Sequence, residues 1–98
     1  MKALVALVGM KHRGTEKLIA SLPQGEPLTL VREPTNRYDP NAVQVFARGE
    51  HVGYVKGSQN RSIAARMDRA RADSGEAVSW PAKLAIDGGK WPMVEIEE

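Results

Sequence analysis

The sequence predicts a mainly β fold with two helices: a small, curled, mostly antiparallel sheet, closed or nearly closed, in the order β-α-β-β-β-α-β-β. Three observations predict it. The chain has only 98 residues, enough for one modest core. Its apolar runs are short and are separated by Gly, Pro, Asn and Asp, the residues that turn a chain. Only two segments carry apolar residues at helical spacing. Short strands that curl together leave few edges open, which favours closure.

Ala3–Val8 is a continuous apolar run ended by Gly9, as expected of a buried strand. In Thr15–Leu22, Leu18, Ile19 and Leu22 share a helical face, Thr15 stands as N-cap and Pro23 as the stop. Leu28–Arg32 is a second strand after Pro23, Gly25 and Pro27. Residues 33–43 read EPTNRYDPNAV, too rich in Pro, Asn and Asp for anything but a loop. Ala42–Ala47 and His51–Val55 flank the turn Arg48-Gly49-Glu50 and form a hairpin. Ser58–Ala72 is the longer helix. Ile63, Met67 and Ala70 line one face with Ala64 beside them, and Ser58 or Asn60 is placed to cap it. Asp73-Ser74-Gly75 ends it. Ala77–Ile86 and Met93–Ile96 are closing strands around Asp87-Gly88-Gly89-Lys90. Pro81 inside the first of them marks an edge or a bulge. The whole of 1–98 reads as one domain.

Composition removes several classes of function. There is no cysteine, so disulfide frameworks, thiolate metal sites and cysteine nucleophiles are excluded. No apolar window reaches the length of a membrane-spanning helix. Ala3–Val8 is too short for a secretory core and is followed by Lys11, His12 and Arg13, so the expected compartment is the cytoplasm. No phosphate-binding glycine loop, ligand-spaced histidine pair or nucleophile elbow is present, and neither an enzyme, a cofactor nor a metal is expected. Charge is unevenly placed. Residues 1–72 hold twelve Lys/Arg against six Asp/Glu, and residues 73–98 hold two against six. A basic front of this kind suits an anionic partner such as nucleic acid.

Three loops carry the residues that suit such a partner. Gly9–Gly14 presents Lys11, His12 and Arg13 directly after a buried strand, a rim fit for phosphates. The stretch Asn36-Arg37-Tyr38-Asp39-Pro40-Asn41 offers a flat ring for a base and a carboxylate for a hydroxyl. It is equally explained as a turn in which Asn and Asp bond their own backbone and Tyr38 packs on the barrel end, and on composition the two readings stand level. Val52–Gly57 brings Tyr54 and Lys56 to a strand end beside glycines. His51 reads as a surface or half-buried polar residue without a ligand.

Taken together, Gly9-Met10, the run Arg32-Glu33-Pro34-x-Asn36-x-Tyr38-Asp39-x-Asn41-Ala42-Val43, Gly53-Tyr54-Val55 and Ile63-Ala64 resemble the HIRAN domain over about residues 3–72. The resemblance implies a small OB-like or SH3-like antiparallel β-barrel with flanking helices. It implies a nucleic-acid-binding module that captures the 3′ end of single-stranded DNA in repair or processing, beside a helicase, nuclease or ATPase. It also assigns roles. Lys11 and His12 stand at the position of a basic-aromatic pair, Asn36, Tyr38 and Asp39 match directly, and Tyr54 and Lys56 stand in the third loop. Lys-His in place of Arg-aromatic weakens the bidentate grip on phosphate, and Tyr54 replaces a histidine of the eukaryotic pattern. On this reading Tyr38 and His12 or Tyr54 sandwich the terminal base. Asp39 bonds the free 3′-hydroxyl, and Lys11, Lys56, Arg13 and Arg37 hold phosphates. The rival expectation is a protein-interaction adaptor without nucleic acid, using the arginine-bearing helix and the acidic tail Glu95-Ile96-Glu97-Glu98.

Overall fold

In the computed structural model, which describes residues 2–74, 79–87 and 91–97, six strands close into one antiparallel barrel. The elements are β1 (Lys2–Val8), α1 (Met10–Arg13), α2 (Glu16–Ser21), β2 (Pro27–Arg32), β3 (Val43–Ala47), β4 (Glu50–Val55), α3 (Arg61–Ser74), β5 (Ser79–Asp87) and β6 (Trp91–Glu97). Around the barrel the strands run β1-β4-β3-β2-β5-β6, and β6 returns to β1. Every pairing is antiparallel.

The core follows the predicted apolar runs. Val5 and Leu7, Leu28 and Leu30, Val43 and Val45, Val52 and Val55, and Val94 and Ile96 are buried at alternate or bulge-shifted strand positions. Ile19 and Leu22 close the core from α2 and its exit, and Ile63, Ala64 and Met67 from α3.

Two differences from expectation have physical reasons. A third helix is present, the single turn α1, where the sequence reads as a loop. Gly9 before it (φ 83°) and Gly14 after it (φ 69°) both adopt the left-handed conformation, which glycine takes without steric cost. Thr15 precedes α2 but does not cap it with its side chain. The buried hydroxyl donates instead to the Val52 carbonyl of β4, pinning the helix segment to the barrel. As the expected closing strand Met93–Ile96 requires, Glu95 and Ile96 belong to β6, where they pair with Leu4 and Ala3, and Ile96 is fully buried.

Pro81 does pair across to Thr29 of β2. The β5–β6 ladder begins only at Lys83–Glu95, so at Pro81 the strand is paired on one side, the setting in which proline is tolerated. The predicted turn at residues 88–90, and Gly75, Ala77 and Glu98, lie outside the described residues.

One irregularity matters for function. Between β3 and β4 the register runs Gln44–Tyr54, Val45–Gly53, then Phe46–His51, leaving Val52 as an extra residue. Positions 51 and 54 are an odd number apart and would face opposite sides of a regular strand. The bulge restores them to one side. Their rings meet edge to face with centroids 4.9 Å apart. Gly53 permits the bulge to lie against β1. A Cβ there would sit 2.5 Å from the Val8 carbonyl oxygen.

Candidate nucleic-acid interface

The three loops singled out in the sequence meet at one end of the barrel. Val8 pairs with Tyr54 and Leu7 with Val55, so the β1–α1 turn and the exit of β4 are neighbours. Gly9 lies against the Tyr54 ring, and a Cβ on it would be 3.6 Å from Cδ2. On the other side, a Cβ on Gly57 would be 3.6 Å from Asp39 Oδ2. The loop between β2 and β3 therefore touches the segment after β4.

Glu33 is the hub that joins them. Its Oε1 accepts from Asn36 Nδ2 at 2.6 Å and from the Tyr54 hydroxyl at 2.9 Å, and its Oε2 accepts from Gln44 Nε2 at 2.8 Å. Asn36 Oδ1 accepts from the backbone N–H of Tyr38 and of Asp39, each at 2.9 Å. This is the Asx-type turn foreseen from composition. Asp39 in turn accepts from Asn41 N–H at Oδ1, 2.9 Å, and from Asn60 Nδ2 at Oδ2, 2.8 Å. A continuous hydrogen-bonded path thus runs from Tyr54 through Glu33 and Asn36 to Asp39.

The two carboxylates are differently occupied. A carboxylate presents about four acceptor sites. Both sites on Glu33 Oε1 are used by protein donors, whereas each Asp39 oxygen accepts one protein donor. Asp39 is half-buried and retains acceptor capacity for a ligand.

The rings divide likewise. Tyr38 does not pack on the barrel end. It is 88% exposed, and the Arg37 guanidinium lies 5.9 Å from its centroid. Tyr54 is half-buried and fixed by its hydroxyl. Burial first, and then the hydrogen bond to Glu33, push its pKa above the ordinary tyrosine value. His51 stacks on Phe46 with centroids 5.1 Å apart, and its Nε2 is 3.0 Å from the Gly53 carbonyl oxygen. Burial, then the Arg13 charge, pull its pKa below the ordinary histidine value, against the Gly53 carbonyl and Glu33. Of the two settings the sequence left open for it, surface or half-buried, it takes the half-buried one.

The cations are spread more widely than the rim reading implies. Lys11, His12 and Arg13 are all exposed, but they occupy successive positions of a helical turn and fan out by about 100° each. Arg13 Nε donates to the His51 carbonyl oxygen at 2.7 Å, bracing α1 against β4. Lys56 and Arg37 are exposed on the other two loops.

Residues that sequence reasoning left without a role prove central to the site's construction. Glu33 is one. Asn60 is another: it is buried, its carbonyl accepts the first α3 bond from Ala64 N–H, and its side chain turns outward to Asp39. Arg32 is the third. Asn60 carried a signal, as a residue placed to cap a helix. Glu33 and Arg32 carried none beyond their place in the motif. Among the described residues, no group of three His, Asp or Glu is arranged to hold a metal ion. None of their helices is long and apolar enough to cross a membrane.

The closed six-stranded antiparallel barrel, with its three polar loops meeting at one end, places the chain among the small closed β-barrel folds. The HIRAN domain profile matches residues 3–90, and the chain belongs to this family, whose members are nucleic-acid-binding rather than catalytic modules. Two solved structures share the fold. One is a protein from Lactobacillus plantarum, 24% identical, with a TM-score of 0.65 over 99% of this chain and 100% of that one. The other is the HIRAN domain of human HLTF, 18% identical, with a TM-score of 0.56 over 100% of this chain and 76% of that one. No functionally curated protein matches the sequence.

Proposed function

We propose that residues 1–98 act as one domain that captures single-stranded DNA at a free 3′-hydroxyl end, in the cytoplasm, during repair or processing by a helicase, nuclease or ATPase. The observation that carries this reading is Asp39: a half-buried carboxylate at the meeting of the loops, held by two protein donors and still able to accept more. A terminal 3′-hydroxyl donates to it. A phosphate at that place is repelled and leaves the carboxylate unmatched.

The exposed Tyr38 ring stacks on the terminal base, with His12 or Tyr54 on the far side. One stacked base is worth about 1–3 kcal/mol and tolerates any sequence. Asn36 holds the backbone on which both Tyr38 and Asp39 ride. Lys11, Lys56, Arg13 and Arg37 meet the phosphates, so the logarithm of affinity falls with log salt by about 0.7 per phosphate engaged.

The test is fluorescence anisotropy with a 5′-labelled single strand ending in either a 3′-hydroxyl or a 3′-phosphate. Loss of a charge-assisted hydrogen bond of about 1.5–3 kcal/mol corresponds to a preference of roughly ten- to a hundredfold for the hydroxyl. Equal binding of the two ends, or undiminished binding by Asp39→Ala, overturns the proposal.

A further inference from the structure

The Arg32 side chain makes more directed contacts than any residue of the recognition loop, and they join that loop to α3. Its Nε donates to Asp68 Oδ1 at 2.9 Å and its Nη2 to Asp68 Oδ2 at 3.1 Å. The same Nη2 donates to the Pro40 carbonyl at 3.0 Å, and Nη1 to the Ala42 carbonyl at 2.7 Å. The guanidinium side chain is 11% exposed, and the Asp68 side chain 52%. A nearly buried cation is thus balanced by one carboxylate reaching in from a helix surface. Its two remaining directed contacts go to the returning limb of the loop that carries Asn36, Tyr38 and Asp39.

Helix α3 therefore holds that loop at two points. Asn60, at the start of the helix, bonds Asp39 Oδ2. Asp68, eight residues on and about 12 Å further along the axis, holds Pro40 and Ala42 through Arg32. The planar fork of arginine suits this task, because its donors lie in one plane at fixed angles. Lysine offers a single point charge and cannot span carboxylate and both carbonyls. Loop carbonyls that would otherwise turn to water are fixed to a rigid element, and the Asp39 carboxylate is fixed with them.

We infer that Arg32 and Asp68 are positioning residues for end recognition: they touch no nucleotide, and they set the place of the Asp39 carboxylate by clamping the loop to α3. The inference rests on the reading of Asp39 given above.

The test uses the full chain with Asp68→Ala, Asp68→Glu and Arg32→Lys. Two quantities are read: the ratio of affinities for 3′-hydroxyl and 3′-phosphate strands, and amide hydrogen exchange at Asn41, whose N–H donates to Asp39. Asp68→Ala is expected to cut the preference for the hydroxyl by about three- to tenfold, the usual range for coupling through an intermediary residue. It is expected to speed Asn41 exchange and leave the salt slope as in the parent, because no phosphate contact is removed. Asp68→Glu restores part of the preference, and Arg32→Lys behaves like Asp68→Ala. A purely structural role would lower melting temperature while leaving the preference of the folded protein intact. That result, or an unchanged Asn41 exchange rate in a folded Asp68→Ala chain, overturns the inference. A parent chain with no preference between the two ends overturns the reading of Asp39, and this inference with it. A parent with the preference and variants that keep it overturn the inference alone.

Discussion

Removing the Glu33 carboxylate tests whether the recognition loop and the end of β4 are built as one unit. Glu33→Ala deletes the acceptor for Asn36 Nδ2, the Tyr54 hydroxyl and Gln44 Nε2. A hydrogen bond to a charged group contributes about 1.5–3 kcal/mol net, less where water can replace it. All four side chains are half-buried, so water recovers part of the loss. The expected total is about 2–4 kcal/mol, below the sum of three such bonds. For a domain of this size that lowers the melting temperature by roughly 10–25 °C. Glu33→Gln keeps an oxygen for Asn36 and Tyr54, and Gln44 can turn its amide to match, so its loss is about 1 kcal/mol. A second readout isolates Tyr54. Read in a Tyr38→Phe background, the tyrosinate absorbance reports Tyr54, whose ionised form burial and then Glu33 disfavour. Its contribution to stability is complete below the ordinary value of 10.0 and is lost as pH rises through the raised value. In Glu33→Ala the Tyr54 titration moves part of the way back toward 10.0, and burial holds the remainder. A variant that melts within a few degrees of the parent (about 2 °C would be under half a kcal/mol) with its Tyr54 titration unmoved refutes the account of Glu33 as the hub.

Three further outcomes are expected. Gly53→Ala places a methyl 2.5 Å from the Val8 carbonyl oxygen, where only a shift of β1 against β4 relieves it; urea titration should show a loss of about 1–3 kcal/mol, and a midpoint equal to the parent's would show that the strands are not so closely apposed. Tyr38→Ala should leave stability within about 0.5 kcal/mol, since the ring is exposed. In an anisotropy titration the same variant should weaken single-strand binding by about 1–3 kcal/mol, and unchanged affinity would remove this ring from the site. Because the folded pKa of His51 lies below 6.5, its contribution is present above that pH and is lost as pH falls through the lowered value. Melting temperatures from pH 8 to 5 should therefore decline more in the parent than in His51→Gln, and parallel curves would contradict the burial of the imidazole.

Much of this architecture was legible in the sequence because it follows from local pattern. Leu28 and Leu30, or Val43 and Val45, alternate with polar neighbours as one face of a strand must, and Ile63, Ala64 and Met67 recur as one face of a helix must. The loop from Glu33 to Asn41 announced itself through Pro, Asn and Asp, and its Asn36 turn formed as composition indicated. What pattern did not reveal was where side chains go once strands from distant parts of the chain meet. Thr15 has the chemistry of a helix cap, yet its hydroxyl reaches Val52, a partner 37 residues away. His51 and Tyr54 have the wrong spacing to share a face until a bulge supplies the missing step. Glu33 and Arg32 look like ordinary charged residues beside a loop. Only the closed barrel reveals that one engages its carboxylate with three loop and strand partners while the other fastens the loop to α3.

The amino-acid order alone determined the number of strands, the apolar interior and the three polar segments bearing Lys11, Tyr38, Asp39, Tyr54 and Lys56, since each depends on neighbours within a few residues. Tertiary structure decided that these segments share one end of the barrel, that Asp39 keeps more acceptor capacity than Glu33, and that a helix grips the loop from behind. Hydrogen bonds between residues 21 or 36 positions apart depend on closure of the whole sheet, and no short window of sequence contains both partners.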